Sequence, residues 1–191
     1  TFALQVTDAR GGTAGVTVQV RVIEPDTNPA AGAEIVFAAA PDGLPSLYVA
    51  PLAGHAALRR TRPLGGGDVE PDVAADGSAI AFASFRDELF DPLSGQPAAE
   101  LYAMDADGTN LRRLTDNRWP ERHPSWSPDG LRIAFDRGSS TDATGRLNTG
   151  ICVVFASGSG VLELTPGTPV YESAPDWSPD GTRLVYAAGS G

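Results

Sequence analysis

The chain has 191 residues, 41% of them hydrophobic, and a formal net charge of -10, so it can bury a core but should repel a phosphate backbone. All of its 14 basic residues are arginine, which excludes a Walker-type phosphate loop and Schiff-base chemistry. The single cysteine excludes an intrachain disulfide and a cysteine-based zinc cluster, and no run approaches the roughly 18 apolar residues of a membrane span.

The first elements along the chain are two alternating apolar runs within residues 1–24, separated by the turn sequence DARGG. Alternation with a period of two predicts a β-hairpin with one buried face. Residues 25–32, PDTNPAAG, are rich in turn-forming residues and predict a linker. The more regular part of the chain therefore begins near residue 33.

A thirteen-residue motif then recurs at 70–82, 123–135 and 174–186, as in HPSWSPDGLRIAF, and a degenerate copy lies at 25–37. Each of the three full copies has an apolar run, a turn containing Gly and a second apolar run. This order is typical of a β-hairpin.

A second motif recurs between these copies, at 47–61, 101–115 and 151–165, as in LYAMDADGTNLRRLT. It has the form of a second hairpin. Two independent registers thus give one period near fifty residues, and each period predicts four antiparallel strands.

The turn SPDG at 127–130 and 178–181 supports the hairpin prediction, because Pro presets φ and Gly accepts the positive φ that ends the turn. A β-branched residue in place of the glycine should damage the hairpin. The residues to which we assign this structural role are Pro128, Asp129, Gly130, Pro179, Asp180, Gly181 and, in the second motif, Gly108.

Strands such as RIAF and ICVVF are apolar on both faces, which predicts sheets covered on both sides. Repeated four-stranded units that need neighbours on both faces are blades of a β-propeller, where radial stacking buries them. Trp126 and Trp177 occupy equivalent places in the first strand of their units and should pack between blades.

The motif PSWSPDGLRIAF followed by LYAMDADGTNLRRLT resembles the PD40, WD40-like repeat of TolB-type propellers, over roughly residues 31–191. The resemblance implies an all-β, partial propeller of about three blades belonging to a six-bladed ring. The first 24 residues resemble the last two strands of an immunoglobulin-like or cadherin-like module. The domains expected are a hairpin at 1–24, a linker at 25–32 and blades over 33–191.

Within the blades, the sequence predicts a first unit that lacks its innermost strand, two full units and the opening hairpin of another, with further blades following residue 191. These four units are expected at about 33–62, 71–116, 124–165 and 175–187.

Function is expected at the end of the propeller opposite the SPDG turns, because the connections there are longer and more varied. The candidate contact residues lie on connections that lead to the innermost strands, near the mouth of the central channel. They are Trp119, Glu121, Arg122, His123, Tyr171 and Glu172. The alternative is that the aromatic residues pack their own loops and the charges are solvated.

Catalytic and metal chemistry find little support in the sequence. No G-x-S-x-G motif is present, and DADGTN at 105–110 lacks the distal glutamate of a calcium loop, so it is interpreted as a turn. Cys152 lies in an apolar strand and is interpreted as a core residue. We therefore expect neither a cofactor nor a catalytic site.

The resemblance favours a non-enzymatic binding or scaffold module of an exported or cell-envelope bacterial protein, with a protein or an envelope polysaccharide as partner. Two alternatives remain open. The propeller could gate or dock a downstream serine peptidase of the prolyl-oligopeptidase-like type, or it could bind carbohydrate.

Overall fold

The computed structural model describes residues 34–41, 43–51, 56–63, 65–91, 95–141, 147–166 and 171–189. The predicted N-terminal hairpin and linker lie outside these residues. The described chain contains thirteen β-strands, which are β1 Glu34–Ala39, β2 Ser46–Pro51, β3 Leu58–Arg59, β4 Asp68–Val73, β5 Ala79–Phe90, β6 Pro97–Asp105, β7 Arg112–Arg113, β8 Glu121–Trp126, β9 Arg132–Thr141, β10 Leu147–Phe155, β11 Leu162–Glu163, β12 Tyr171–Trp177 and β13 Leu184–Gly189.

These strands form successive antiparallel meanders, which we call blades 1 to 4. Blade 1 is β1-β2-β3, and blade 2 is the four-stranded sheet β4-β5-β6-β7. Blade 3 is β8-β9-β10 with β11 on β10, and blade 4 is the hairpin β12-β13. A single parallel bridge between Thr149 and Tyr171 joins blades 3 and 4 into one hydrogen-bonded sheet. The all-β, partial propeller predicted from the repeat is thus confirmed.

The tight turns repeat with the sequence. Gly130 N–H donates to the Ser127 carbonyl at 2.9 Å, and Gly181 N–H donates to the Ser178 carbonyl at 2.8 Å. Both glycines have positive φ, 68° and 67°, as their place in the turn requires. The turn chemistry therefore fixes where each inner strand reverses.

The blades pack face to face through alternate side chains of their strands. Ile80 and Phe82 on β5 face blade 1, where they join one core cluster with Leu47. Ala81 and Ala83 on the other face of β5 join the cluster shared with blade 3. At these four positions of β5, the larger side chains thus face the preceding blade and the smaller ones face the following blade.

Trp126 lies at the centre of the contact between blades 2 and 3. Its side chain is 2% exposed and packs in one cluster with Ala81 of blade 2 and Phe135 of blade 3. Trp177, its repeat equivalent, is partly exposed, and its Nε1–H donates to the Ser125 carbonyl at 3.2 Å. Both indoles therefore contact the preceding blade.

Candidate functional site

The candidate contact residues come from two neighbouring innermost strands and the connection that precedes one of them. Glu121, Arg122 and His123 begin β8, whereas Tyr171 and Glu172 begin β12. Trp119 lies in the loop 114–120, between β7 and β8. The SPDG turns lie at the other end of the same strands, as the sequence predicts.

Among the described strands, the three innermost ones, β4, β8 and β12, carry a bulge at the same place. Glu70, His123 and Ala174 have positive φ, 53°, 49° and 51°, and each precedes a proline. The strand register shifts at each of them. A non-glycine residue in this conformation is uncommon, so three equivalent cases indicate a built feature of the repeat.

Two of the three bulges are held by carboxylates of the preceding blade. His123 N–H donates to Glu70 Oε2 at 3.0 Å, across the boundary between blades 2 and 3. Ala174 N–H donates to Asp136 Oδ2 at 3.0 Å, across the boundary between blades 3 and 4. Side-chain acceptors thus replace the ladder bonds that the bulges lose.

Arg122 and Glu70 form an ion pair between blades 2 and 3. Arg122 Nε lies 2.9 Å from Glu70 Oε2, and Nη2 bonds Oε1 of the same carboxylate. Burial alone would raise the pKa of Glu70, but the hydrogen bond and charge of Arg122 bring it below its ordinary value. The guanidinium also lies over the Phe85 ring, 5.4 Å from its centroid. The two hydrogen bonds to Glu70 and the contact with the Phe85 ring fix the Arg122 side chain, which is 37% exposed.

His123 extends the same network. Its Nδ1 lies 2.7 Å from Asp136 Oδ2, and its Nε2 lies 3.6 Å from Glu70 Oε1. The hydrogen bond to Asp136 raises the pKa of His123 above its ordinary value, with the charges of Asp136 and Glu70 adding to the effect. The protonated imidazole is therefore favoured by this site, which places it between carboxylates of two blades.

The two glutamates among the candidate residues are buried. Glu121 is 0% exposed and Glu172 is 4% exposed. Asn117 Nδ2 donates to Glu121 Oε1 at 2.8 Å, and the Thr165 hydroxyl donates to Glu172 Oε2. Both carboxyls are therefore hydrogen-bonded within the protein and do not reach the surface.

Trp119 and Tyr171 are partly exposed. Trp119 N–H donates to Asn117 Oδ1 at 2.7 Å, which fixes the backbone of its loop. The structure thus places Trp119, Arg122, His123 and Tyr171 as the members of the set that reach the surface.

A cleft of about 690 Å³ runs along the innermost strands from this network toward the SPDG turns. Its wall repeats with the blades, because Asp72, Ser125 and Asp176 each follow a bulge by two residues. Asp72 Oδ2 accepts from Trp126 N–H at 2.7 Å, and Asp176 Oδ1 accepts from the Ser125 hydroxyl at 3.2 Å. Sequence analysis missed this wall, although the recurrence of a residue before Pro and a polar residue after it marks the position.

The other sequence candidates have structural partners. In the DADGTN turn, Asp105 Oδ2 accepts from Asn110 Nδ2 at 2.6 Å, and Asp107 Oδ1 accepts from Thr109 N–H at 2.8 Å. Cys152 is 1% exposed, and burial raises the pKa of its thiol to about 12. Within the described ranges, no three His, Cys, Asp or Glu side chains are grouped so that they could hold a metal ion.

Stacked antiparallel meanders whose innermost strands line a common cleft define a β-propeller. The family model for the PD40 TolB beta propeller domain matches residues 6–187. The chain therefore belongs to the PD40 TolB β-propeller family. This match includes residues 6–24, which sequence analysis assigned to an immunoglobulin-like hairpin.

Two curated proteins and one solved structure illustrate the similarity. The Tol-Pal system protein TolB of Alcanivorax borkumensis is 29% identical over 124 residues, which are 53% of this chain and 26% of that protein. The uncharacterized peptidase YuxL of Bacillus subtilis is 34% identical over 77 residues, 38% of this chain and 10% of that protein. The chain thus spans at most about a quarter of the length of these two relatives.

TolB from Acinetobacter baumannii superposes with a TM-score of 0.66 at 23% identity, over 96% of this chain and 42% of that chain. At this identity the similarity shows the fold alone. No helix in the described part of the chain is long and apolar enough to span a bilayer.

Proposed function

We propose that this chain is a non-enzymatic binding module whose contact surface comprises Trp119, Arg122, His123 and Tyr171. We call these four residues the mouth surface. The observation that carries the proposal is the fixed position of Arg122, held by Glu70 and Phe85 and still 37% exposed. A partly exposed arginine with a fixed side chain loses little rotamer entropy on binding and is a frequent interface anchor.

The partner that this surface fits best is a protein. Aromatic and arginine side chains are enriched at protein interfaces, and Trp119, Tyr171 and Arg122 supply both kinds. An exported or cell-envelope location is part of the proposal and is supported by the relationship to TolB proteins. An envelope polysaccharide is the other ligand class considered, and a glycan array would test it.

Photo-crosslinking tests the mouth surface directly. We expect a photoreactive phenylalanine analogue at Trp119 to capture a discrete partner from envelope extracts of the organism that encodes the chain. The matched control carries the analogue at Leu131, which is 62% exposed and lies at the SPDG end of blade 3. In a second variant, Trp119, Arg122 and Tyr171 are all replaced by alanine and the photoreactive analogue is placed at an exposed position beside them. This variant should no longer capture the partner. Equal capture from both ends would refute this assignment of the surface.

A second function is favoured by the similarity to the peptidase YuxL. In that case the propeller would gate or dock a hydrolase encoded in the same reading frame. The discriminating observation is the sequence that follows residue 191 in the gene, where a G-x-S-x-G segment would support this second function.

A further inference from the structure

Two carboxyl groups are buried together at the boundary between blades 2 and 3. Glu100 lies on β6 and Glu121 on β8, and both side chains are 0% exposed. In each of them Oε2 is buried with no hydrogen-bond partner among the described residues. An unpaired buried carboxylate oxygen is costly, so this pair needs an account beyond packing.

Asn117 joins both carboxyls to the loop that carries Trp119. Its backbone N–H donates to Glu100 Oε1 at 2.8 Å, and its Nδ2 donates to Glu121 Oε1 at 2.8 Å. Its Oδ1 accepts from Trp119 N–H at 2.7 Å. The backbone and side chain of one residue, Asn117, therefore connect the buried pair to the mouth surface.

The surroundings supply too few donors for two carboxylates. The Thr115 hydroxyl accepts from Leu101 N–H at 2.9 Å and has a single proton to donate. Arg113 Nη2 lies 3.4 Å from Glu100 Oε1 and is shared with Asp116 at 2.9 Å. Arg137, which attracts Glu121, is paired with Glu163 at 3.2 Å.

The titratable and charged groups around the pair come from several neighbouring elements. They are Arg113 on β7, Asp116 in the loop, Arg137 on β9, Cys152 on β10 and Glu163 on β11. Burial keeps Cys152 a neutral thiol, with a pKa raised to about 12.

The boundary between blades 3 and 4 has only one of the two carboxyls in its described residues. There Thr165 and Glu172 occupy the places of Thr115 and Glu121, and the hydroxyl donates to the one carboxyl. Gly150 stands in the place of Glu100. At this boundary the single carboxyl, that of Glu172, therefore receives its hydrogen bond from the single threonine hydroxyl, that of Thr165.

Burial raises the pKa of both glutamates. For Glu121 the pKa rises to about 7, with the charge of Glu100 adding to the effect of burial. Two interacting carboxyls lose their protons in two steps, and the last proton of this pair, which Glu121 keeps until about pH 7, is the one whose loss leaves both groups charged.

We propose that Glu100 and Glu121 share a proton that holds the loop 114–120 in place, and that loss of this proton moves the loop and changes the presentation of Trp119. The doubly charged pair repels itself and needs water, which reaches it when the loop shifts. As a regulation of the mouth surface, the inference rests on the proposed function, but the coupling itself needs no partner.

The test follows the indole N–H resonance of Trp119 in the free 191-residue chain by two-dimensional NMR, from about pH 5 to pH 9. Only three indole signals exist, and Trp119→Phe assigns the relevant one. In the wild-type chain we expect one sigmoidal shift with a midpoint near 7. Glu121→Gln should abolish the shift and leave the resonance at its acidic position, because the amide keeps the acceptor for Asn117 without the charge.

Two further variants exclude other causes. Glu172→Gln, the equivalent substitution at the next boundary, should leave the Trp119 titration unchanged. His123→Asn removes the neighbouring imidazole and should also leave the step in place. Should Glu121→Gln fail to fold, Glu100→Gln must give the same loss of the shift.

A Trp119 resonance that does not titrate, or that titrates equally with Gln at position 121, would overturn the inference. So would a step that disappears with His123→Asn. Because the measurement uses no partner, an absent crosslink at Trp119 would refute the proposed function and leave this result standing.

Discussion

At the scale of single residues, the repeat is defined by backbone conformations as much as by side chains. Glu70, His123 and Ala174 occupy a left-handed conformation that L-residues rarely adopt. Each has an acid two positions earlier that is buried at the start of its strand, Asp68, Glu121 or Glu172. The bulge and the buried acid together fix which side chains reach the cleft and which support it.

Gly130 offers a test of the turn. Its φ is 68°, and a Cβ built there meets nothing within 4 Å, so a substitution is penalised by the backbone alone. We expect Gly130→Val to lower the free energy of unfolding by about 1–2 kcal/mol, measured by urea denaturation. Gly130→Asn is the control, because asparagine tolerates this conformation. Equal losses in both variants would contradict the backbone explanation.

Glu121 makes stability depend on pH. An unfolded glutamate loses its proton near its ordinary pKa of 4.5, whereas the native group keeps it until about 7. The native state therefore binds more protons between these values, and the free energy of unfolding should fall with rising pH, by up to about 3 kcal/mol, and then level off.

Urea midpoints measured from about pH 4 to pH 9 would show this fall, and Glu121→Gln should flatten it. The raised pKa of His123 acts in the same direction, because its contribution is complete below about 6.5 and is lost as pH rises through the native pKa. Any slope that remains in Glu121→Gln above pH 6.5 should therefore disappear with His123→Asn. A wild-type chain that gains stability over this range would contradict both assignments.

At the scale of elements, the hairpins could be predicted from the sequence because their signals are local. An apolar run, Asp-Gly and a second run specify β8 and β9 whatever surrounds them. The bulges could not be predicted, because they depend on a carboxylate of another blade, as when Glu70 accepts from His123 N–H. The sequence predicts Glu121 as a surface contact residue for the same reason, whereas the structure buries it. Its burial follows from Asn117 and Thr115, which a single strand pattern does not reveal.

The register of the repeat held a signal that could have located the buried acids. Asp68, Glu121 and Glu172 recur at the same offset from Glu70-Pro71, His123-Pro124 and Ala174-Pro175. A charged or polar residue that recurs at the same position of a packed repeat is more often buried in a structural role than exposed as a surface charge. Removing these buried acids from the candidate contact residues leaves the four residues of the mouth surface.

Trp126 and Trp177 allow the packing at two blade boundaries to be compared within one chain. Trp126 is 2% exposed among residues of two blades, so Trp126→Ala should destabilise by about 3–5 kcal/mol. Trp177→Ala should cost less, because that indole is partly exposed. Trp119→Ala is the loop control and should change the urea midpoint little. Equal losses at Trp126 and Trp177 would show that the two boundaries are equally packed.

At the scale of the molecule, the blades form a row in which each mainly contacts its neighbours. The row alternates apolar layers, such as Ile80 and Phe82 against Leu47, with polar layers near the mouth. In repeat architectures stability is close to a sum of units and boundaries, so each boundary contributes separately. The polar layer between blades 2 and 3 differs from the next one by a whole carboxyl, Glu100 in place of Gly150. We therefore expect the boundary between blades 2 and 3, which carries the buried pair, to depend on pH through Glu100 and Glu121.

This nearest-neighbour arrangement predicts a gradient of hydrogen exchange along the chain. Amides on β5 and β9 should be the best protected, because Ile80, Phe82, Ile133 and Phe135 are 0% exposed. Amides on β13 should exchange fastest among the long strands, since Val185 is 68% and Tyr186 39% exposed. Exchange measured by mass spectrometry should show β13 opening while β5 remains protected, and Trp126→Ala should reduce protection in blades 2 and 3 together. A single exchange rate for all strands would mean that the row unfolds as one cooperative unit, and the separate responses of its boundaries would then be lost.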